Sequence, residues 1–203
     1  MLYKEITSDD DRNKLQEDLN GLLQWEDDWK MQFHPEKCVQ LSITLKKKPM
    51  ETNYTMRSHQ LEKVSSAKYL GITISSNLSW SPHIDAISSK AFSKLAFLQR
   101  NISHCPRQTK ILAYQSLIRP KLEYSVGIWD PHTKKDISRL EAVQRKAARF
   151  VTGDFGRESS VTSILDDLEW PSLQWRRREL KLTLFHKTYH NEVDVPIPLD
   201  TNT

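Results

Sequence analysis

Residues 68–84 read KYLGITISSNLSWSPHI, and the fold turns on them. Up to Ser75 the apolar residues alternate, as in a half-buried strand. From Ser79 the character changes. Ser81 is placed to cap a helix and Pro82 takes its first position. Ile84, Ile87, Ala91, Leu95 and Leu98 then recur at helical spacing to about Asn101. An alternating segment meets a helical one here. The expected fold class is α+β: a small α+β unit over 1–78, then an all-α region over 79–190, with a loose tail at 191–203. Gly71 stands in the middle of the alternating stretch. A glycine inside a strand weakens it unless another backbone comes near, so a close approach is expected at Gly71.

Upstream, Leu2 to Ile6 reads as the end of a strand. Ser8 can cap a helix, with Asp11 giving an approximate capping box. Leu15, Leu19, Leu22, Trp29 and Phe33 mark an amphipathic helix over about 9–32, which His34-Pro35 ends. From Lys37 to Leu45 the chain alternates, with Val39, Leu41, Ile43 and Leu45 sharing one face. Lys46-Lys47-Lys48-Pro49 is the loop after it, and short strands fill 50–75. Downstream, a helix opens at Pro106, carries Ile111, Tyr114, Leu117 and Ile118, and stops at Pro120. Further helices are expected at 134–151, 161–168 and 172–190, with a loop from Gly153 to Ser160.

The chain has 203 residues, 37% apolar and 28% charged. This is the range of globular proteins, and no apolar run nears the roughly 18 residues that suggest a membrane span. The first residues carry no apolar signal core, so an intracellular protein, nuclear or cytoplasmic and not secreted, is expected. Cys38 and Cys105 lie in different segments, and reduced thiols are the expectation. A net charge of +4 permits a polyanionic partner without establishing one.

Six segments carry a resemblance: LQEDLNGLLQWEDDWKMQFHPEKC (15–38), KYLGITISSNLSWSPHI (68–84), KAFSKLAFLQRN (90–101), AYQSLIRPKLEYSVGIWDP (113–131), LEAVQRKAARFV (140–151) and LEWPSLQWRRRELKLTLFHK (168–187). In this order they resemble reverse transcriptases of non-LTR retrotransposons, LINE-type and jockey- or CR1-like. The resemblance implies an RNA-directed DNA polymerase with an RNA template and a DNA primer as partners. Residues 1–78 would be the end of the palm with a primer grip, and 79–190 a helical thumb. It implies Mg²⁺ in the parent enzyme, held by aspartates of a Phe/Tyr-x-Asp-Asp hairpin. That hairpin would lie shortly before Leu2-Tyr3, so this chain is expected to start after it. The fingers and most of the palm would be missing, and no cofactor is expected in the chain itself.

Other acidic and ligand-like clusters have plainer readings. Trp25-Glu26-Asp27-Asp28-Trp29 sits in a helix, where neighbouring carboxylates diverge by about 100° and share no metal well. An acidic solvent face is expected there. Asp9-Asp10-Asp11 suits a helix N-terminus, and Asp166-Asp167 a solvated turn. His34-x3-Cys38, His104-Cys105 and His186-x3-His190 lack the four converging ligands of a structural zinc site, and no metal site is expected.

The helix at 134–151 gives the clearest signal for nucleic acid. Ile137, Leu140, Val143, Ala147, Phe150 and Val151 fall on one side, and Arg139, Arg145, Lys146 and Arg149 on the other. An apolar stripe opposite a basic face can dock on a core and offer cations to phosphates. Lys90, Lys94 and Arg100 add charge to the helix before it. In Arg176-Arg177-Arg178 at least one side chain should point inward or pair with acid such as Glu169 or Glu179. By resemblance, Lys37 is a candidate acid toward the pyrophosphate leaving group. Lys68, Tyr69, Leu70 and Gly71 are the candidate primer grip. Two readings of Tyr69 stand, against a sugar or packed inward.

Overall fold

The computed structural model describes residues 1–47, 50–156 and 158–194. Lys48-Pro49 of the lysine loop and the tail from Val195 onward lie outside the described residues. The chain divides into two compact units, Met1–Ser79 and Trp80–Thr203.

In the first unit, Leu2 to Ile6 form no strand, and Leu2 and Tyr3 are exposed. The first helix, α1 (Asp9–Trp29), starts at the expected Ser8 cap. The Asp11 amide donates to Ser8 Oγ at 3.2 Å, and the Asp11 carboxylate accepts from the amides and hydroxyls of Thr7 and Ser8. These bonds hold the Asp11 carboxyl far below the usual carboxylate range. Lys30, at φ 55°, ends the helix. Leu19 packs with Tyr54, Met56 and Leu61 as the core, and Leu15, Leu23, Phe33 and Cys38 close around it.

Trp29 was expected on the buried stripe, yet it is 66% exposed. Glu26 takes the inward place instead. Its carboxylate accepts from the Phe33 amide at 2.9 Å and lies 3.2 Å from the Arg57 guanidinium. The carboxylate ties the chain beyond α1 back onto the helix, so the acidic run is not simply a solvent face.

The strand expected at 37–45 shortens to β1 (Val39–Leu41) and faces the other way. Gln40 is buried, while Val39, Ile43 and Leu45 are exposed. Side chains alternate, so one choice of facing decides the whole strand. Here Cys38 joins the Leu19 core, and the Gln40 amide donates to the hydroxyl and carbonyl of Thr52. Hydrogen bonding outweighs the apolar pattern.

Two short strands, β2 (Thr55–Met56) and β3 (His59–Gln60), pair antiparallel. The Gln16 side chain clips them to α1, donating to the Thr55 carbonyl at 2.9 Å and accepting from its amide at 3.0 Å. β4 (Glu62–Val64) pairs parallel with β1. Last come β5 (Ser66–Tyr69) and β6 (Ile72–Ser75), antiparallel with Tyr69 opposite Ile72.

The stretch around Gly71 is therefore a hairpin, not one strand with a glycine inside. Leu70 has φ 45° and Gly71 φ 88°. A two-residue loop with both φ positive matches the right-handed twist of its strands. Gly71 is needed here for its backbone conformation, at φ 88°. Gly71→Ala should destabilise the first unit by about 1 kcal/mol, read as a lower urea midpoint with unchanged slope.

The second unit is helical: α2 (Ser81–Asn101), α3 (Arg107–Leu117), α4 (Arg119–Glu123), α5 (Lys134–Thr152), α6 (Val161–Asp167) and α7 (Leu173–Tyr189). Trp80 caps α2, and Ser81 is its first residue. The Ser81 hydroxyl instead donates at 2.7 Å to Asp136, which is buried in the first turn of α5. Thr133 caps α5, its hydroxyl accepting from the Asp136 amide at 3.1 Å and donating to the carboxylate at 2.8 Å. α3 ends at Leu117, short of Pro120 as expected, and Pro120 then also begins the next helix. It sits in the first turn of α4, where its missing N–H costs nothing. Ile84, Ala91, Leu95, Ile118, Leu140 and Val143 form the centre of the core.

Candidate nucleic-acid interface

The candidate residues fall into three groups, set by the elements that carry them. In the first unit, Lys37 ends the short 3-10 turn Pro35–Lys37 and is exposed. Lys68, Tyr69, Leu70 and Gly71 form the end of the β5–β6 hairpin. Leu70 at its tip is 72% exposed, an unusual position for a leucine in a left-handed conformation. Tyr69 is 40% exposed and pairs across the hairpin with the buried Ile72.

In the second unit, α2 separates two sets of cations. At about 100° per residue, Asp85 and Phe92 lie on one flank and Lys90, Lys94 and Phe97 on the other. Helix α5 runs along the Asp85 flank. Arg139 pairs with Asp85 at 2.6 Å, and Lys146 Nζ lies 5.7 Å from the Phe92 ring centroid. Lys90 sits on the far flank, where its charge and, more strongly, burial lower the proton affinity of His83. Arg100 is exposed at the end of α2.

The four candidate cations of α5 have different employment. Arg149 is committed to the fold. Its guanidinium donates to the carbonyls of Asp154, Gly156 and Ser159 at 3.1–3.2 Å and holds the loop after the helix. Arg139 is neutralised by Asp85. Among the described residues Arg145 donates only to the Ser138 carbonyl, at 3.3 Å, on its own helix. Lys146 is exposed over an aromatic ring. Arg145 and Lys146 are therefore the better placed cations. Lys135, exposed and one turn before Arg139, extends the same stripe. Residues 135, 139, 142 and 146 share one helical row, a signal that was present in the spacing.

The triple arginine is divided by depth. Arg177 is 1% exposed and lies 3.5 Å from Asp130. Arg176 makes a two-pronged contact with Glu123. Arg178 is exposed. The partners are Glu123 and Asp130 rather than Glu169 or Glu179.

For the Mg²⁺ implied by the resemblance, the donor set does not fit. Asp27 lies 3.3 Å from Arg57, which also holds Glu26. Asp9 and Asp10 pair with Arg12 and Lys14, and Asp11 is consumed by the cap. Among the described residues no three His, Cys, Asp or Glu side chains stand together to hold a metal ion. His186 and His190 approach to 4.3 Å between ring centroids without a third ligand. Both cysteines are free thiols. Among the described residues no helix is long and apolar enough to cross a membrane.

Comparison with known proteins gives three relatives, all from Drosophila melanogaster. The chain is 28% identical over 156 residues to a probable RNA-directed DNA polymerase from transposon BS, covering 75% of this chain and 17% of that protein. It is 22% identical over 187 residues to a probable RNA-directed DNA polymerase from transposon X-element, covering 87% and 20%. It is 25% identical over 168 residues to the RNA-directed DNA polymerase from mobile element jockey, covering 76% and 18%. The resemblance to non-LTR retrotransposon polymerases thus holds over most of this chain. The chain spans about a fifth of the length of these relatives. No family model and no solved structure matches it.

Proposed function

We propose that this chain, a relative of mobile-element RNA-directed DNA polymerases, is a template–primer-binding part of such an enzyme and has no polymerase activity by itself. Residues 1–78 are read as the palm end with the β5–β6 hairpin as primer grip, and the helical unit as the thumb. The observation that carries the binding half is α5. Its buried stripe of Leu140, Val143, Ala147 and Val151 anchors it, and Lys135, Arg145 and Lys146 stay on its outer side. Such cations attract phosphates whatever the sequence, and each contact releases counterions. The proposed lack of activity rests on the acidic runs of α1, where Asp9, Asp10, Glu26 and Asp27 pair with arginines and lysines and Asp11 with the cap, and on there being no cluster of three ligand side chains among the described residues.

Two measurements test the reading on the whole chain. Primer extension with magnesium and an RNA template should give no incorporation, and template-dependent incorporation would overturn that half. An RNA–DNA hybrid should bind with salt-dependent affinity. Neutralising Lys135, Arg145 and Lys146 to glutamine should flatten the log–log salt slope by up to about 0.9 per cation. An unchanged slope would remove α5 from the interface.

A second reading, a helical protein-interaction module, is favoured by α7. Leu173, Arg177 and Leu184 face the core side, while Trp175, Leu182, Phe185 and Tyr189 fall on the opposite side and are at least half exposed. An apolar row of that extent suits a partner surface. Sedimentation at rising concentration addresses self-association: a monomer throughout would count against the chain as its own partner.

A further inference from the structure

We infer that the α2 flank carrying Lys90, Lys94 and Phe97 is a stacking site for an unpaired nucleic-acid strand, separate from the α5 surface proposed for the duplex backbone. The inference rests on the proposed template–primer role and sharpens it, by dividing the two strands' contacts between opposite sides of one helix.

The two flanks of α2 differ in how their cations are partnered. On the α5 side Arg139 is answered by the Asp85 carboxylate, and Lys146 lies over the Phe92 ring. On the other side Lys90 and Lys94 form no ion pair among the described residues. The only acid in α2, Asp85, lies on the far flank. Between these cations and the helix end stands Phe97, 48% exposed, with Lys94 Nζ 5.2 Å from its ring centroid. The Asn101 side chain donates to the Phe97 carbonyl at 2.7 Å and secures the last turn beneath the ring.

An exposed ring on a rigid helix offers its face to any base, because every base has a π-face. Lysines one turn and two turns before it are placed to meet the phosphates on either side. A duplex cannot use the ring, since its bases are already stacked on each other. An unpaired strand uses both ring and cations. The flank therefore fits single-stranded RNA or DNA without sequence preference.

The test compares binding of a labelled oligo-uridine strand and a labelled RNA–DNA hybrid to the full chain by anisotropy across salt. Phe97→Ala should weaken the single strand about tenfold and leave the hybrid unchanged. Because it removes no charge, its salt slope should stay that of the parent, while Lys90→Gln with Lys94→Gln should flatten the single-strand slope by about 0.7 per lysine. Phe97→Trp should restore or tighten strand binding, and circular dichroism confirms that the variants fold. Equal losses on strand and hybrid would overturn the division of surfaces, and so would a Phe97→Ala protein that binds the strand as well as the parent. If the parent binds the hybrid but not the strand, this inference fails and the α5 reading survives. If it binds the strand and α5 substitutions leave the hybrid untouched, the α5 reading fails and this one survives.

Discussion

Asp130→Ala should be among the most damaging single substitutions in the helical unit, while Arg177→Met should be nearly silent. Arg177 is 1% exposed, and none of its three guanidinium nitrogens has a hydrogen-bond partner among the described residues. Burial lowers its proton affinity, and the nearby charges of Glu141, Asp130 and Glu123 counter that. The guanidinium remains charged, as arginine does in proteins. Asp130 is its closest counter-charge at 3.5 Å and also pairs with Lys181. Removing the acid takes away the closest of these counter-charges and leaves Glu141 and Glu123 alone to offset the buried guanidinium. A fully buried pair broken this way costs about 3–5 kcal/mol. Asp130 is partly exposed, so about 2–4 kcal/mol is expected. Removing the arginine eliminates the desolvated charge itself, and methionine fills much of its volume. Replacing a buried cation by an apolar side chain is often neutral or stabilising. Urea unfolding followed at the helical signal should show the midpoint falling for Asp130→Ala and holding for Arg177→Met. Equal losses in both would mean that Arg177 contributes by packing, not as a charge requiring its partner.

The same residue shows what sequence can and cannot tell. Three consecutive arginines on a helix must diverge, so an inward one was expected from 100° geometry alone. Its partner was not, because Asp130 and Glu123 come from turns whose place is set only by tertiary packing. Helix boundaries were legible where a cap residue or proline marks them, as at Ser8 and Pro82. The facing of β1 was not. Val39, Ile43 and Leu45 argued for one face, but the Gln40–Thr52 hydrogen bonds and the Cys38 contact decided for the other. At Gly71 the residue type was informative, and the structure adds a reason that alternation alone does not show, the positive φ of a two-residue turn. Alternation continues through a two-residue turn, so KYLGITIS looks like one strand unless positive φ is considered. In the candidate interface, charge could be counted from the sequence, but availability could not. Arg149 and Lys146 look alike on a helical wheel. Only the path of the following loop, which turns three carbonyls toward Arg149, separates a structural cation from an exposed one.

Gln144→Leu should cost the helical unit about 2–4 kcal/mol, although it puts an apolar side chain of similar length into the core. Gln144 is 1% exposed on α5. Its amide donates to the Pro171 carbonyl at 2.9 Å and its oxygen accepts from the Tyr114 hydroxyl at 3.0 Å. One side chain thus satisfies a group from α3 and a group from the turn before α7. Tyr114 stacks on Trp170 with ring centroids 4.4 Å apart, so the hydroxyl cannot swing to water without breaking that contact. Burial and the neighbouring Glu123 push its ionisation well above the usual phenol range, and it stays a neutral donor. Leucine leaves both the hydroxyl and the carbonyl unsatisfied, at about 1–3 kcal/mol each. Tyr114→Phe alone should cost about 1–3 kcal/mol, since it leaves the Gln144 side-chain oxygen without its donor while the Gln144 amide keeps its bond to the Pro171 carbonyl. Combined with Gln144→Leu it should cost less than the sum, because the unsatisfied hydroxyl no longer exists. A double-mutant cycle in urea isolates that coupling. A coupling near zero would show that the two residues stabilise the core independently. A clear positive coupling would identify the Tyr114–Gln144–Pro171 chain as the polar contact that fixes α3 and the α7 entry against α5.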